Sequence, residues 1–413
     1  MTATVDQSLH HLVREDAGRV VAVLAERFGD LDLADDAVQE ALIEAAQTWP
    51  RDGTPTNPAG WLHQVAKRKA IDTLRRDDVR RRRIAANAPD ILELTTAGDT
   101  PSLVDDGGLD PGDERLRLLL LCCHPALELD AQVALTLRLV SGLTTDEIAS
   151  AFLVPTSTLA QRISRAKRKI RTANIAMTLP ESLDERLGAV RTVVYLTFNE
   201  GYLTHSPTAL AHRVDLCDEA VRLMRLVVLL APDQAESNGL LSLLLLTHAR
   251  RDARFDQDRI VLLDDQDRST WRQGEIAEGN QCLRSALEAM EPGPFQLQAI
   301  IASHHSNAAS PGATDWQRIV ELYDQLMAMV RSPVVALNRA AAVAMASGPQ
   351  RGLDELETID GLDDYHLFHA TKGELLARSG DTEAAIEALQ RASEASPNES
   401  ERLLLTERLA RLL

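Results

Sequence analysis

The chain has 413 residues, a formal net charge of −18 and only 3% aromatic side chains. This length exceeds one ordinary core, so two or three domains are expected, and the abundance of Leu, Ala, Arg and Glu predicts an all-α protein. Four cysteines without a CxxC pair exclude a disulfide framework, and no apolar run approaches the ~20 residues that span a bilayer.

The first residues, MTATVDQSLHHLVRE, lack the apolar core of a signal peptide. A soluble, cytoplasmic protein with no membrane partner is the expectation. Residues 31–49, LDLADDAVQEALIEAAQTW, form an amphipathic helix. Ala34, Ala37, Val38, Ala41, Leu42, Ala45 and Trp49 make its apolar side. Asp35, Asp36, Gln39, Glu40, Ile43 and Glu44 lie opposite, and Ile43 among acids suits a protein contact surface.

A loop, PRDGTPTNP, follows, with Asn57 as helix cap and Pro58 at the first helical position. The next helix, 59–76, buries Trp61, Leu62, Val65, Ala66, Ala70 and Leu74. Arg68 with Arg75, and Lys69 with Arg76, recur seven residues apart on its basic side. Residues 67–83 carry nine bases against three acids. Over a Debye length of ~10 Å, local charge of this kind favours phosphate contact whatever the total. Trp61 sits on the apolar stripe, which favours core packing over the alternative of a stacking platform for an unpaired base.

Residues 84–112 are acidic, rich in Gly and Pro, and read as a flexible tether. Cys122–Cys123–His124 follows an apolar run, so buried packing is preferred to thiol or metal chemistry. At 144–152 a helix starts after Thr144 and Thr145 and buries Ile148, Ala149 and Phe152. Pro155 interrupts it, and Thr156 or Ser157 is expected to cap a second helix.

That second helix places Leu159, Ile163, Ala166 and Ile170 on one stripe. Its outer face holds Thr158, Gln161, Arg162, Ser164, Arg165, Lys167, Arg168 and Lys169. The pair reads as a helix-turn-helix whose second helix suits the major groove, its N-terminal half on base edges and its C-terminal half on phosphates.

The DxxQE helix, the PAGWLHQVAKRKAIDTLRRD helix, the acidic segment, and GLTTDEIASAF followed by TLAQRISRAKRKI resemble extracytoplasmic-function (ECF) sigma factors of bacterial RNA polymerase. The resemblance covers about residues 10–171 in order and spacing. It implies a domain-2 equivalent at 10–83, a linker at 84–112 that threads a polymerase channel, and a domain-4 helix-turn-helix at 113–171. It further implies that the helix bearing Asp35, Asp36, Gln39, Glu40 and Ile43 docks on core RNA polymerase. The loop at 50–58 and the helix after it, with Asn57, Trp61, Arg68, Lys69, Arg75 and Arg76, would open and read the −10 element. Ser157, Thr158, Gln161, Arg162 and Arg165 match the family's −35 contacts. Lys167, Arg168 and Lys169 continue that face toward promoter DNA. Leu153 replaces a frequent turn glycine and Ala160 a frequent Lys or Arg, which leaves the preferred −35 sequence open.

From about 180 to 413 the chain is helical and acidic; residues beyond 171 hold 22 bases and 36 acids. Residues 366–399 fit a 34-residue tetratricopeptide unit, with Gly373, Ala385, Ala392 and Pro397 at its small-residue and proline positions and Leu376 and Leu389 at the large ones. Segments near Ala220–Pro232 and around Gly348 repeat parts of that pattern, so a TPR-like α-solenoid is expected. The interruption at 251–274 offers Asp256, Asp258, Asp264, Asp265 and Asp267 as calcium candidates but lacks the Gly and closing Glu of an EF-hand, and His304–His305 lacks a third ligand. No metal, cofactor or catalytic residue is expected, since no nucleophile, P-loop or zinc motif occurs.

Sigma factors with a tetratricopeptide-like C-terminal extension are a subgroup that the whole chain resembles. This implies a non-enzymatic initiation factor whose extension regulates it or contacts a protein or ligand partner. The acidic extension is further expected to fold over the basic faces in the free protein. A one-component helix-turn-helix regulator with a helical sensor domain is the alternative, although it needs only one DNA-reading module. A repeat-domain enzyme or ligand sensor on an N-terminal scaffold is the other.

Overall fold

The computed structural model describes residues 9, 12–86, 111–152, 154–173, 175, 183–202, 213–256, 259–290 and 292–413. The chain divides into two compact units, one of residues 1–149 with 154–193 and one of 194–413 with 150–153. Each is helical, as the composition predicts. No helix among the described residues is long and apolar enough to cross a membrane.

In the first unit a π-helical turn, Leu12–Asp16, leads into α1 (Ala17–Phe28), α2 (Leu31–Asp52) and α3 (Pro58–Ala86). The side chain of Asp30 accepts from the amides of Asp32 and Leu33 and so starts α2. Asn57 caps α3 as expected, its Oδ1 accepting from Gly60 N at 2.9 Å. Leu24, Ala34, Val38, Ala41, Leu62 and Ala66 are wholly buried where these helices meet. Trp49 meets Trp61 edge to face, with ring centroids 5.3 Å apart.

Helices α4 (Pro111–Cys122), α5 (Leu129–Leu135, running into a π-helical turn, Thr136–Val140), α6 (Thr145–Ala151) and α7 (Thr156–Thr172) complete this unit with the start of α8 (Leu183–Tyr202). The acidic segment read as a tether therefore has helix at both margins; its residues 87–110 lie outside the described ones, as does Leu153.

Two local expectations fail. Leu74 is 44% exposed, on a turn of α3 where Arg75 and Arg76 are exposed as well. Neither Thr156 nor Ser157 caps α7: Pro155 holds the cap position with no side-chain bond, and its carbonyl accepts from Thr158 N and Leu159 N. The Cys122 and Cys123 thiols are packing groups, fully buried, and burial pushes Cys123 up to about 12.

The second unit continues from the end of α8 through α9 (Val214–Leu230), α10 (Ala235–His248), α11 (Gln273–Leu287), α12 (Pro294–Asn307), α13 (Trp316–Met329), α14 (Pro333–Ser347), α15 (Pro349–Leu356), α16 (His366–Ser379), α17 (Thr382–Ala395) and α18 (Glu399–Leu412). Successive helices pack on one another. The leucine-rich α10 is buried along most of its length, covered by α9, α11 and α12.

In the α16–α17 pair, a Cβ on Gly373 would stand 2.7 Å from Leu389 Cγ, so glycine sets how closely these helices approach. Ala385 and Ala392 are wholly buried in the same pair. The 251–274 interruption forms a 3₁₀ turn (Arg251–Ala253), two short strands β1 (Phe255–Asp256) and β2 (Arg259–Ile260) in antiparallel register, and a second 3₁₀ turn (Arg268–Thr270). It is fastened by the buried cluster of Leu246, Ala249, Trp271 and Ile276. The carboxylate of Asp267 accepts from Ser269 N and Oγ as a turn cap.

Candidate nucleic-acid interface

Thr144 and Glu147 start α6 by a reciprocal capping box: Thr144 Oγ1 accepts from Glu147 N, and Glu147 Oε2 accepts from Thr144 N at 2.7 Å. The spacing Thr-x-x-Glu was legible in the sequence, which suggested only a helix start there. Leu159, Ile163, Ala166 and Ile170 are buried along one side of α7, as the stripe predicts. The turn between α6 and α7 is tied by Val154 N donating to Ala149 O at 3.0 Å. The result is a second helix held by its apolar stripe, with the other side turned outward.

Ser157, Thr158, Gln161, Arg165, Arg168 and Lys169 are exposed on that side. Thr158, Gln161, Arg162, Arg165 and Lys169 share one groove of about 430 Å³ with Leu127, Glu128 and Asp130. Arg162 is anchored by Asp130 at 3.2 Å, which aims its guanidinium along the groove wall. Such a face offers hydrogen-bonding groups near the helix start and cations toward its end, the arrangement that a groove edge and phosphates require.

On α3, Arg75 and Arg76 are exposed. Arg76 bonds back to Asp72 O and Thr73 Oγ1 of its own helix. Arg68 and Lys69 are drawn toward α2: Arg68 lies 3.1 Å and Lys69 2.8 Å from Glu44, and Lys69 is 3.9 Å from Glu40. The hydrogen bond from Lys69, with the charges of both bases, lowers the pKa of Glu44. Trp61 is half-buried against Trp49, and Asn57 is spent on its cap. The structure thus gathers most of the −35 candidates into one face but does not gather the −10 candidates into one open surface.

Lys167 stands apart from its neighbours. It is 8% exposed, and its Nζ lies 2.5 Å from Oδ2 of Asp35, itself 6% exposed. Arg171 reaches Asp32 at 2.8 Å, and Arg117 reaches Glu26 at 2.6 Å. These pairs join α7 to α2 and α4 to α1. Gly18 of α1 permits the same approach, since a Cβ there would fall 2.7 Å from Leu139 O. Lys167 and Asp35 were both expected to face outward; here each is occupied by the other.

The rest of the α2 acidic face stays partly open. Asp36 and Glu40 are exposed and Gln39 is half-buried. Burial, opposed by Lys167 and helped by Asp35, Asp32 and Glu40, raises the pKa of Asp36. Ile43 is 57% exposed and, with Gln39, Leu42, Val13, Arg138 and Thr144, lines a groove of about 250 Å³.

Comparison with known proteins gives three family matches. Sigma-70 region 2 matches residues 12–80, sigma-70 region 4 matches 117–170, and a family of unknown function (DUF6596) matches 186–287. Over 390 residues, 93% of this chain and 90% of the other, the sequence is 42% identical to a Rhizobium meliloti (strain 1021) protein named uncharacterized protein R00370. It is 30% identical over 151 residues to the probable ECF RNA polymerase sigma factor SigI of Mycobacterium tuberculosis (strain ATCC 25618 / H37Rv), covering 37% of this chain and 50% of that one. It is 27% identical over 183 residues to the probable RNA polymerase sigma factor RfaY of Xanthomonas campestris pv. campestris, covering 41% of this chain and 44% of that one. The match thus spans half or less of each of these two sigma factors, whereas it spans nearly all of the Rhizobium protein.

Proposed function

We propose, for a chain that belongs to one family with the Rhizobium protein and is a sigma-70-type factor carrying regions 2 and 4, that it directs RNA polymerase to specific promoters and helps open them. The observation that carries this reading is the outward basic side of α7, where Gln161, Arg165, Arg168 and Lys169 are exposed above a buried apolar stripe. In this reading α7 reads the −35 element, Arg75 and Arg76 of α3 attend the −10 strand, and the open side of α2 around Ile43 docks on core polymerase. Because Asp35 and Lys167 occupy one another, α7 must leave α2 before both helices engage their partners.

The helical region beyond α8 regulates this step or contacts a partner of its own. Run-off transcription with core polymerase tests the whole proposal, with full-length chain set against residues 1–179 on a pool of genomic promoters. Specific transcripts from either form support it, and their ratio tells whether the C-terminal half restrains or assists. Absence of both transcripts and core binding, with dimeric binding to a palindrome, would point to a one-component regulator.

Two substitutions address the interfaces separately. Arg165→Ala is expected to weaken −35-dependent initiation and to lower the log–log salt slope of DNA binding by about one unit, since one fewer phosphate counterion is displaced. Unchanged salt dependence would remove Arg165 from the DNA face. Ile43→Glu puts a charge on a side chain already in solvent, so the fold is kept while core-polymerase affinity falls by about tenfold or more. Equal affinity in a competition assay would displace the polymerase surface from α2.

A further inference from the structure

The second unit holds a group of arginines that the function above does not use. Around α10, neighbouring arginines are matched to carboxylates: Arg251 lies 2.7 Å from Glu275, Arg272 2.7 Å from Asp252 and Arg225 2.7 Å from Glu278. Arg250, Arg254 and Arg268 have no carboxylate partner among the described residues. In a half-buried setting on an acidic chain, this is the reverse of what charge balance favours.

The three are brought together by backbone geometry. Arg250 follows the last turn of α10, and its carbonyl accepts from Ala253 N at 3.0 Å, which starts the turn to Arg254. Arg272 N donates to Ala249 O at 2.9 Å, folding the 268–272 segment against the same helix end. Arg268 Nη1 donates to His305 O and Ala308 O, while Ser306 Oγ donates to Leu246 O at 3.2 Å, so the end of α12 closes the group.

Two guanidinium planes are held on aromatic rings. Arg268 lies 4.5 Å from the Trp271 centroid, and Arg254 stacks over Tyr202 while donating to its carbonyl. Yet Arg250 Nε, Arg268 Nε and Nη2, and His305 Nδ1 are buried with no hydrogen-bond partner among the described residues. Buried donors of this kind cost about 1–3 kcal/mol each when left unmet, so a ligand that meets several at once is strongly favoured.

We propose that Arg250, Arg254 and Arg268, with His305 beside them, form a binding site for a phosphate group, free or carried on a small metabolite. Three fixed cations match a dianion, and the planar guanidinium fork pairs with its oxygens two at a time. Asp264 acts on Arg268 and Glu401 on Arg254 through space, two carboxylates against three guanidinium groups. Burial, together with Arg250, Arg268 and His304, brings His305 down to about 4, so its ring is neutral at pH 7. A bound dianion offsets those cations and raises that value.

The test is calorimetric titration of the full-length chain with inorganic phosphate, with succinate as a dicarboxylate probe. One saturable phosphate site is expected, with affinity reduced about tenfold or more in Arg250→Gln or Arg268→Gln, as loss of a charge-assisted hydrogen bond implies. It should be retained in Arg165→Ala, which alters only the basic face of α7. Arg268 also holds the end of α12, so Arg250→Gln, which removes an Nε with no hydrogen-bond partner among the described residues, is the deciding variant. An upward shift of the His305 titration on adding phosphate, read by NMR, would place the ligand at this group. Absence of saturable phosphate binding, preference for succinate, or binding undiminished in Arg250→Gln would each overturn the site.

Discussion

Lys167→Ala should separate α7 from α2 while leaving each helix folded. Asp35 is buried, and its other side-chain contact is Gln39 Nε2 at 3.4 Å, a weak donor at that distance. Removing the ammonium leaves a desolvated carboxylate, which costs about 3–5 kcal/mol when one member of a buried pair is deleted. The cheapest response is to let water reach Asp35 by opening the contact that Arg171–Asp32 also bridges. That pair is more exposed and contributes about 0–1 kcal/mol, too little to hold it closed.

Hydrogen exchange should therefore accelerate at residues 31–43 and 163–171, and core-polymerase affinity should rise rather than fall. An apolar double replacement, Asp35→Leu with Lys167→Met, should restore protection, because a buried pair and its apolar substitute are often close in energy. Unchanged exchange in Lys167→Ala would show that the contact does not depend on this pair.

The second large effect concerns Glu275, which accepts from both Arg251 nitrogens at 2.7 Å and faces His248 Nδ1 at 3.2 Å. Burial alone would raise its pKa, but the hydrogen bonds from His248 and Arg251 outweigh it and bring the carboxyl to about 2. Its folded value thus lies below the ordinary 4.5. The stabilisation is complete above pH 4.5 and is lost as pH falls through 2, amounting to about 3 kcal/mol for a shift of this size.

Glu275→Gln should remove about that much local stability at pH 7, since Arg251 loses its counter-charge and the buried His248 its carboxylate neighbour. The difference between variant and wild type should shrink as wild-type Glu275 becomes protonated. Amide exchange across 246–276 reads this region directly, avoiding a two-state assumption for a two-unit chain. A variant as protected as wild type at pH 7 would show that Arg251 and His248 are satisfied without the carboxylate.

How far the residues alone carried the reading varies with the range of the interaction. The α7 stripe, the Asn57 cap and the glycine at the α16–α17 approach depend on spacing within a turn or a helical pair, and each was legible. The cap of α7 was not, because Pro155 took the position that either Thr156 or Ser157 could have held. Ion pairing beyond the helix was invisible: Glu44 holds Lys69 from 25 positions away, and Asp130 holds Arg162.

By itself the sequence determined an all-helical chain, the order of the helices it named up to residue 171, the buried stripe of α7, and the face on which all but one of its cations lie. Those follow from the helical period and from backbone capping, which act over a few residues. Only the tertiary structure decided that Asp35 and Lys167 are buried against each other, and that Arg250, Arg254 and Arg268 converge with no carboxylate in ion-pair contact among the described residues. A charged residue reads as exposed in any periodicity argument, and burial reverses that only when a partner arrives from elsewhere in the chain. The 132 positions between Asp35 and Lys167 carry no local signal of their meeting.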